Sequence, residues 1–278
     1  MNRSIFCVIF AALFLGATPT FAQTTGPAKG SLVIVGGGGL PKPIRDKFVE
    51  LAGGPDSQFI VIPTANEDEI DLPKEEARFA TMFGVKHVTV IHTRDPKIAN
   101  TEEFVKPIKS ASAVWFDGGR QWRITDAFLG TRTEKEIRAV LDRGGVIGGS
   151  SAGATIQGSY LVRGSTTENT TMMSKGHEIG FGYVKNAAID QHIISRKREG
   201  DLVPVVKAHP ELLGIGIDEA TAVIVKGDTF EIMGRSKVAI TDGADHDGKP
   251  YFLLSVGDKF NLKERKVITP ATKPTGAP

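Results

Sequence analysis

Apolar positions along this chain gather in short blocks separated by glycine-rich turns and amphipathic stretches. Residues 31–35, 59–62, 87–91, 113–116 and 145–147 are β-branched or aromatic runs with little polar alternation. That is the pattern of strands covered on both faces. Between them, 44–52, 75–83, 101–108, 121–129 and 133–143 read as helices. Thr101 stands where it can cap the third of these, with Glu102 and Glu103 at the positive end of its dipole. Strand and helix alternate, which predicts an α/β fold built on a mostly parallel sheet sandwiched by helices.

Beyond residue 150 the pattern changes. Residues 159–185 are rich in Gly, Ser and Thr and are expected to form a long loop over one end of the sheet. Runs at 188–194, 214–218, 222–225, 238–241 and 251–256 are strand-like, and 200–209 is partly helical. The turn Lys226-Gly227-Asp228 predicts a hairpin returning through 230–233. These are C-terminal strands added to the same unit. Without repeats or linkers, 30–267 reads as one domain.

The two ends read differently. Arg3, the apolar run 5–16 and Thr20-Phe21-Ala22 have the form of a signal peptide (1–22) cleaved after Ala22, and the run is too short to span a membrane. Residues 23–29 are expected to be a flexible leader, and 268–278, rich in Pro, Thr, Ala and Gly, a disordered tail. A periplasmic or secreted location follows, with no membrane attachment after cleavage.

Composition narrows the chemistry. The single cysteine, Cys7, lies in the leader, so the mature chain is expected to lack disulfides, a thiol nucleophile and cysteine metal sites. The formal net charge of +2 is dispersed along the chain and does not suggest a nucleic-acid surface. His87 and His92 have no third ligand at useful spacing, so no metal is expected. The turn 36–39 is all glycine, but Pro41 stands where a dinucleotide fingerprint needs its third glycine. No cofactor is expected.

The candidate chemistry centres on Gly149-Ser150-Ser151-Ala152-Gly153, between an apolar strand and a helix start. Gly-x-Ser-x-Gly in that context is the sequence form of a nucleophile elbow. The turn exposes the central side chain and demands small neighbours where the backbone folds back on itself. Ser151 is therefore a candidate nucleophile and needs a base with an acid to orient it. His177, His192, His209 and His246 follow it. His192 ends a strand-like run in Asp190-Gln191-His192, with Arg196 and Arg198 beyond. Asp218 and Glu219 end another. The residues alone do not separate Asp218 from Glu219. An esterase of the α/β-hydrolase type would instead use His246 with Asp218 or Asp242.

These motifs together resemble the cyanophycinases and the peptidase E-type α-aspartyl dipeptidases of the same serine peptidase family. The resemblance rests on Gly-Gly-Ser-Ser-Ala-Gly-Ala at 148–154, Asp-Gln-His at 190–192 with its two arginines, Gly-Ile-Gly-Ile-Asp-Glu at 214–219 and the opening at 30–37. It runs from about residue 30 to 260. It implies a class I glutamine amidotransferase-like (flavodoxin-like) fold, a metal-free Ser-His-Glu triad of Ser151, His192 and Glu219, and a homodimer. An oxyanion hole would use the N–H groups of Gly119 and Ala152. The implied substrate is cyanophycin, a poly-aspartate carrying arginine on each β-carboxyl, cleaved to β-Asp-Arg dipeptides. The α-aspartyl exopeptidase activity of the peptidase E type is the alternative. Gln121, Asp190, Gln191, Arg196 and Arg198 are the expected substrate contacts, the arginines for carboxylates and Asp190 for guanidinium. The chain departs from the family at Arg120, where Asn or Asp is usual, and at Ser150, where threonine is commoner.

Overall fold

The computed structural model describes residues 24–66 and 69–269. Its strands are β1 (Ser31–Val35), β2 (Gln58–Ile62), β3 (His87–Val90), β4 (Ala113–Phe116), β5 (Val146–Ser150), β6 (Gly158–Tyr160), β7 (Val184–Gln191), β8 (Leu213–Ile217), β9 (Thr221–Lys226), β10 (Thr229–Gly234), β11 (Lys237–Thr241), β12 (Phe252–Ser255), β13 (Lys259–Asn261) and β14 (Lys266–Thr269). Its helices are α1 (Lys42–Leu51), α2 (Leu72–Phe83), α3 (Pro96–Ala99), α4 (Glu102–Val105), α5 (Gln121–Phe128), α6 (Arg132–Asp142), α7 (Ala152–Thr155) and α8 (Val203–Ala208).

Among the described residues the strands form two sheets. The first has the order β14-β13-β10-β9-β1-β5-β4-β2-β3. Its half from β1 to β3 is parallel, and β9, β10, β13 and β14 extend it in antiparallel fashion. The second has the order β12-β11-β8-β7-β6, parallel from β6 to β8 and antiparallel beyond. The α/β fold and its added C-terminal strands are as expected. The later strands do not all extend one sheet, however. The chain leaves the second sheet at Ile217 and enters the first at Thr221. Ala220, with φ 53°, makes that corner.

The unbroken apolar runs of the first sheet have a simple cause. Leu32, Ile34, Ile60, Val114, Phe116 and Ile147 pack on one face with α5, α6 and the second sheet. Val33, Val35, Phe59, Val61 and Trp115 pack on the other with Ile44 and Phe48 of α1 and Phe79 and Phe83 of α2. Gly148 makes room there: a Cβ on it would lie 2.6 Å from the Trp115 ring and 2.8 Å from Phe48.

Several boundaries moved for local reasons. The helix expected over 101–108 is α4 followed by a 3-10 turn, Lys106–Ser110, with Pro107 inside it. Thr101 caps α4, its hydroxyl accepting from the Phe104 N–H at 3.3 Å. β6 and β7 take the ends of the expected loop and leave 161–183. β7 stops at Gln191 because His192 turns to φ 57°. Thr25, in the segment expected to be flexible, donates its N–H to Asp228 Oδ1 at 2.5 Å and accepts from Lys185 N at 2.8 Å. Ile268, expected in a disordered tail, lies in β14. The leader 1–22 with Cys7 and the tail 270–278 lie outside the described residues. Among the described residues no helix is long and apolar enough to cross a membrane.

Phe48 fills the space between α1, Phe59, Phe83 and Trp115, with ring centroids 5.1–5.6 Å apart. Phe48→Ala is expected to lower stability by about 3–5 kcal/mol. Urea unfolding followed by circular dichroism measures this, and a loss under about 1 kcal/mol would mean the cluster repacks around the cavity.

Candidate active site

Both sheets end at one place. β1 leaves the first sheet through Gly36-Gly37-Gly38, β4 through Asp117-Gly118-Gly119 and β5 through Ser151. β7 and β8 bring His192 and Glu219 from the second sheet. Three successive carbonyls at the end of β1 tie these segments together. The Val35 carbonyl accepts from Ser151 N at 3.0 Å, Gly36 from His192 N at 2.9 Å and Gly37 from Ala220 N at 2.9 Å.

Ser151 takes φ 55° and ψ −110°. A left-handed φ on a residue with a Cβ costs on the order of 1–3 kcal/mol and persists only where its surroundings impose it. Here the turn is closed by contact between its small residues. A Cβ on Gly149 would lie 2.3 Å from the Gly153 carbonyl oxygen, and one on Gly153 would lie 2.2 Å from that of Phe116. The outcome is a half-buried serine side chain standing between strand and helix.

Ser151 Oγ lies 2.9 Å from His192 Nε2, and His192 Nδ1 lies 2.6 Å from Glu219 Oε1. An ionised carboxylate only accepts, so Nδ1 carries the proton and Nε2 accepts from the serine hydroxyl. The geometry also separates the two acids. Asp218 turns away: its Oδ1 accepts from Ile194 N, Ser195 N and Ser195 Oγ, and its Oδ2 from Ser236 Oγ. It fixes the chain just past His192. His246 does pair with Asp242, at 2.9 Å, but it packs on Phe252 and the imidazole at Ser151 is His192.

The glycine turn walls this pair. A Cβ on Gly37 (φ 108°) would fall 2.2 Å from His192 Cε1, and one on Gly38 (φ 68°) would fall 2.9 Å from Glu219 Oε2. Burial holds the His192 pKa below its ordinary value. Glu219 pulls it upward, and the charges of Arg196 and Arg198 add to the lowering. The imidazole is therefore neutral at pH 7.

Gly119 (φ 137°) is pressed against Ala65: a Cβ there would meet its carbonyl oxygen at 2.2 Å. The neighbouring Gly118 passes close to Ser151, and a Cβ on it would lie 3.5 Å from the serine Cβ. Ala152 begins α7. Its N–H and that of Gly119 have no acceptor among the described residues. Ala152 follows Ser151 directly, and Gly119 follows the Gly118 that passes beside it.

The expected substrate contacts divide. Arg196 is exposed and Arg198 half-buried, and neither makes an ion pair among the described residues. Gln191 is buried, 3.4 Å from Arg198 Nη1. Gln121 and Asp190 are turned inward. Gln121 is buried and donates to the carbonyls of Val162 and Arg163 at 3.0 and 2.8 Å. Asp190 is buried against the equally buried Arg163. Arg120 reaches across to the carbonyls of Ser165 (2.6 Å) and Glu168. Gln121, Arg120 and Arg163 thus hold the loop 161–183. Arg163 and the glycine walls carry no local sequence signal of these roles, because their partners are remote in the chain. Among the described residues no cluster of three or more His, Cys, Asp or Glu is placed to hold a metal.

The profile of Peptidase family S51 matches residues 32–233. A cyanophycinase of Geminocystis herdmanii is 30% identical over 221 residues, covering 77% of this chain and 81% of that protein. A cyanophycinase of a Nostoc species is 28% identical over 271 residues, covering 88% and 90%. The crystal structure of a peptidase from an acI-B1 actinobacterium superposes with a TM-score of 0.64 at 24% identity, covering 85% of this chain and 98% of that one, which shows the shared fold.

The His192 ring is expected to titrate below its ordinary value of 6.5. Arg196→Gln should raise the midpoint, since it removes a repelling charge, and added salt should shrink the difference. Histidine resonances followed by NMR against pH give the answer. A midpoint above 6.5 would show that Glu219 outweighs burial.

Proposed function

The chain belongs to Peptidase family S51, and on that premise we propose that it hydrolyses cyanophycin or related aspartyl peptides through Ser151, His192 and Glu219. The observation that carries this reading is the continuous path Ser151 Oγ, His192 Nε2, His192 Nδ1, Glu219 Oε1, with links of 2.9 and 2.6 Å. A neutral imidazole takes the serine proton as Oγ attacks the peptide carbonyl carbon. The charge that develops on the carbonyl oxygen is met by the N–H groups of Gly119 and Ala152. When the tetrahedral centre collapses, His192 gives its proton to the departing amine and an ester remains on Ser151. Water then loses a proton to His192 and attacks that ester. The acid product leaves, and the proton returns to Ser151 Oγ. Glu219 keeps the ring in the required tautomer and offsets its positive charge.

The substrate reading draws on the two curated cyanophycinases and on Arg196 and Arg198. Two cations beside the imidazole suit a substrate carboxylate, and arginine presents a planar fork to it. The Arg120 guanidinium is engaged by loop carbonyls, so that departure from the family does not argue against the polymer. Export and a homodimer belong to the same reading: the first rests on the leader pattern, the second on the resemblance alone. An α-aspartyl exopeptidase is the second reading, because the same cations suit a dipeptide carboxylate.

Incubation with insoluble cyanophycin should release β-Asp-Arg, identified by mass spectrometry, and Ser151→Ala should abolish it by about 10⁴-fold or more. Cleavage of α-aspartyl dipeptides with the polymer left intact would select the second reading. Gly37→Ala should keep the chain folded yet lower kcat/KM by about a hundredfold, because it displaces the imidazole by the order of 1 Å. Undiminished activity in that variant would remove His192 from the reaction.

A further inference from the structure

Asp190 lies on β7 two residues before His192, whose φ of 57° ends the strand. Asp190 is the carboxylate the sequence offers to a substrate guanidinium. In the folded chain a guanidinium is already there. Arg163 Nε donates to Asp190 Oδ1 at 2.8 Å and Arg163 Nη2 to Oδ2 at 2.9 Å, a two-pronged fork with both groups buried. Arg163 Nη2 also meets Asp201 Oδ2 at 2.5 Å, and Nη1 donates to the Asn169 carbonyl at 2.9 Å. Both oxygens of Asp190 are filled, and the carboxylate has no surface open to solvent. A second guanidinium cannot take the same fork.

We infer that Arg163 is a built-in guanidinium that occupies Asp190, so that Asp190 positions the loop 161–183 and the site does not read an arginine side chain through it. Charge at this wall then balances differently from the sequence expectation. Arg163 neutralises Asp190, and Asp201 leans on the same arginine. Among the described residues of this wall, the cations left without an ion pair are Arg196 and Arg198. The wall accordingly selects the carboxylate of an aspartyl substrate and tolerates a neutral group where cyanophycin carries arginine. The loop consequence is direct. Arg163 N donates to Met172 O, its carbonyl accepts from Gln121, and its guanidinium holds Asn169. Losing the fork frees this segment of the covering loop. The substrate half of the inference rests on the aspartyl-peptide reading, whereas the Arg163–Asp190 half does not.

Two measurements decide it. Hydrogen exchange over 161–183 is followed in the full chain and in Asp190→Asn, Arg163→Ala and the double variant. Each single variant should speed exchange by about tenfold or more, and the double variant should add little, since the two groups act as one unit. Millimolar ethylguanidinium should restore protection in Arg163→Ala and not in Arg163→Ala/Asp190→Asn. Alongside, kcat/KM is compared for short poly-aspartyl peptides carrying arginine or citrulline on each β-carboxyl, citrulline being the neutral isostere. Wild type should treat them alike within about threefold, whereas a site reading the guanidinium would reject citrulline by about a hundredfold or more. Arg163→Ala, with Asp190 exposed, should gain a preference for arginine. Unchanged exchange in Asp190→Asn together with a loss confined to the arginine peptide would overturn the inference. If neither peptide is cleaved by wild type, the aspartyl-peptide reading fails, and the exchange and rescue data still decide the role of Arg163.

Discussion

Everything at the site depends on one strand end. The carbonyls of Val35, Gly36 and Gly37 point in succession at three N–H groups, those of Ser151, His192 and Ala220. A backbone carbonyl buried beside a site needs a donor, and here the donors come from the segments that carry the reacting side chains. Meeting all three requires the chain to turn at once after β1. Gly37 and Gly38 make that turn at φ 108° and 68° while lying against the rings and carboxylate they locate. The same turn therefore sets both backbone register and side-chain clearance. A Cβ there would strain the turn and press on the imidazole or the carboxylate, which explains why this segment is glycine.

Legibility in the sequence followed burial. β1, β2, β4 and β5 are covered on both faces, so their apolar runs were unbroken and easy to read. The second sheet was harder. β6 has three residues, and β7 opens with Val184-Lys185-Asn186, where Asn186 takes φ 50° and the pairing with β6 slips. β13 and β14 have only three and four residues, each opening on a lysine, too short for a periodic pattern to mark them as strands. The site divides in the same way. Ser151 announced itself by the spacing of small residues that its turn requires. His192 and Glu219 needed the family resemblance, because a histidine at a strand end is ordinary until its neighbours are known. Arg163 was invisible: its partners lie 27 and 38 residues along the chain, and no local pattern encodes such a meeting.

The loop 161–183 shows how polar side chains can fix a segment that has little apolar content. Arg120, Gln121 and Arg163 each grip carbonyls of this loop. Arg120 and Gln121 flank the start of α5, directly after the Gly118-Gly119 turn beside Ser151. The covering loop and the turn beside Ser151 are thus anchored to the same few residues. The arginine at 120, where the family usually has Asn or Asp, is a tether reaching over to the loop.

The proposed triad is split between two sheets. Ser151 belongs to the first sheet, and His192 and Glu219 belong to the second. The serine–imidazole contact is therefore a gauge of how one sheet sits on the other. Productive geometry tolerates only about 0.5 Å of error, far less than either sheet needs to keep its own hydrogen bonds. A form with both sheets intact but slightly shifted would look native by secondary structure and be chemically silent. On this geometry a slip at the seam between the sheets is enough to part serine from imidazole without unfolding either sheet.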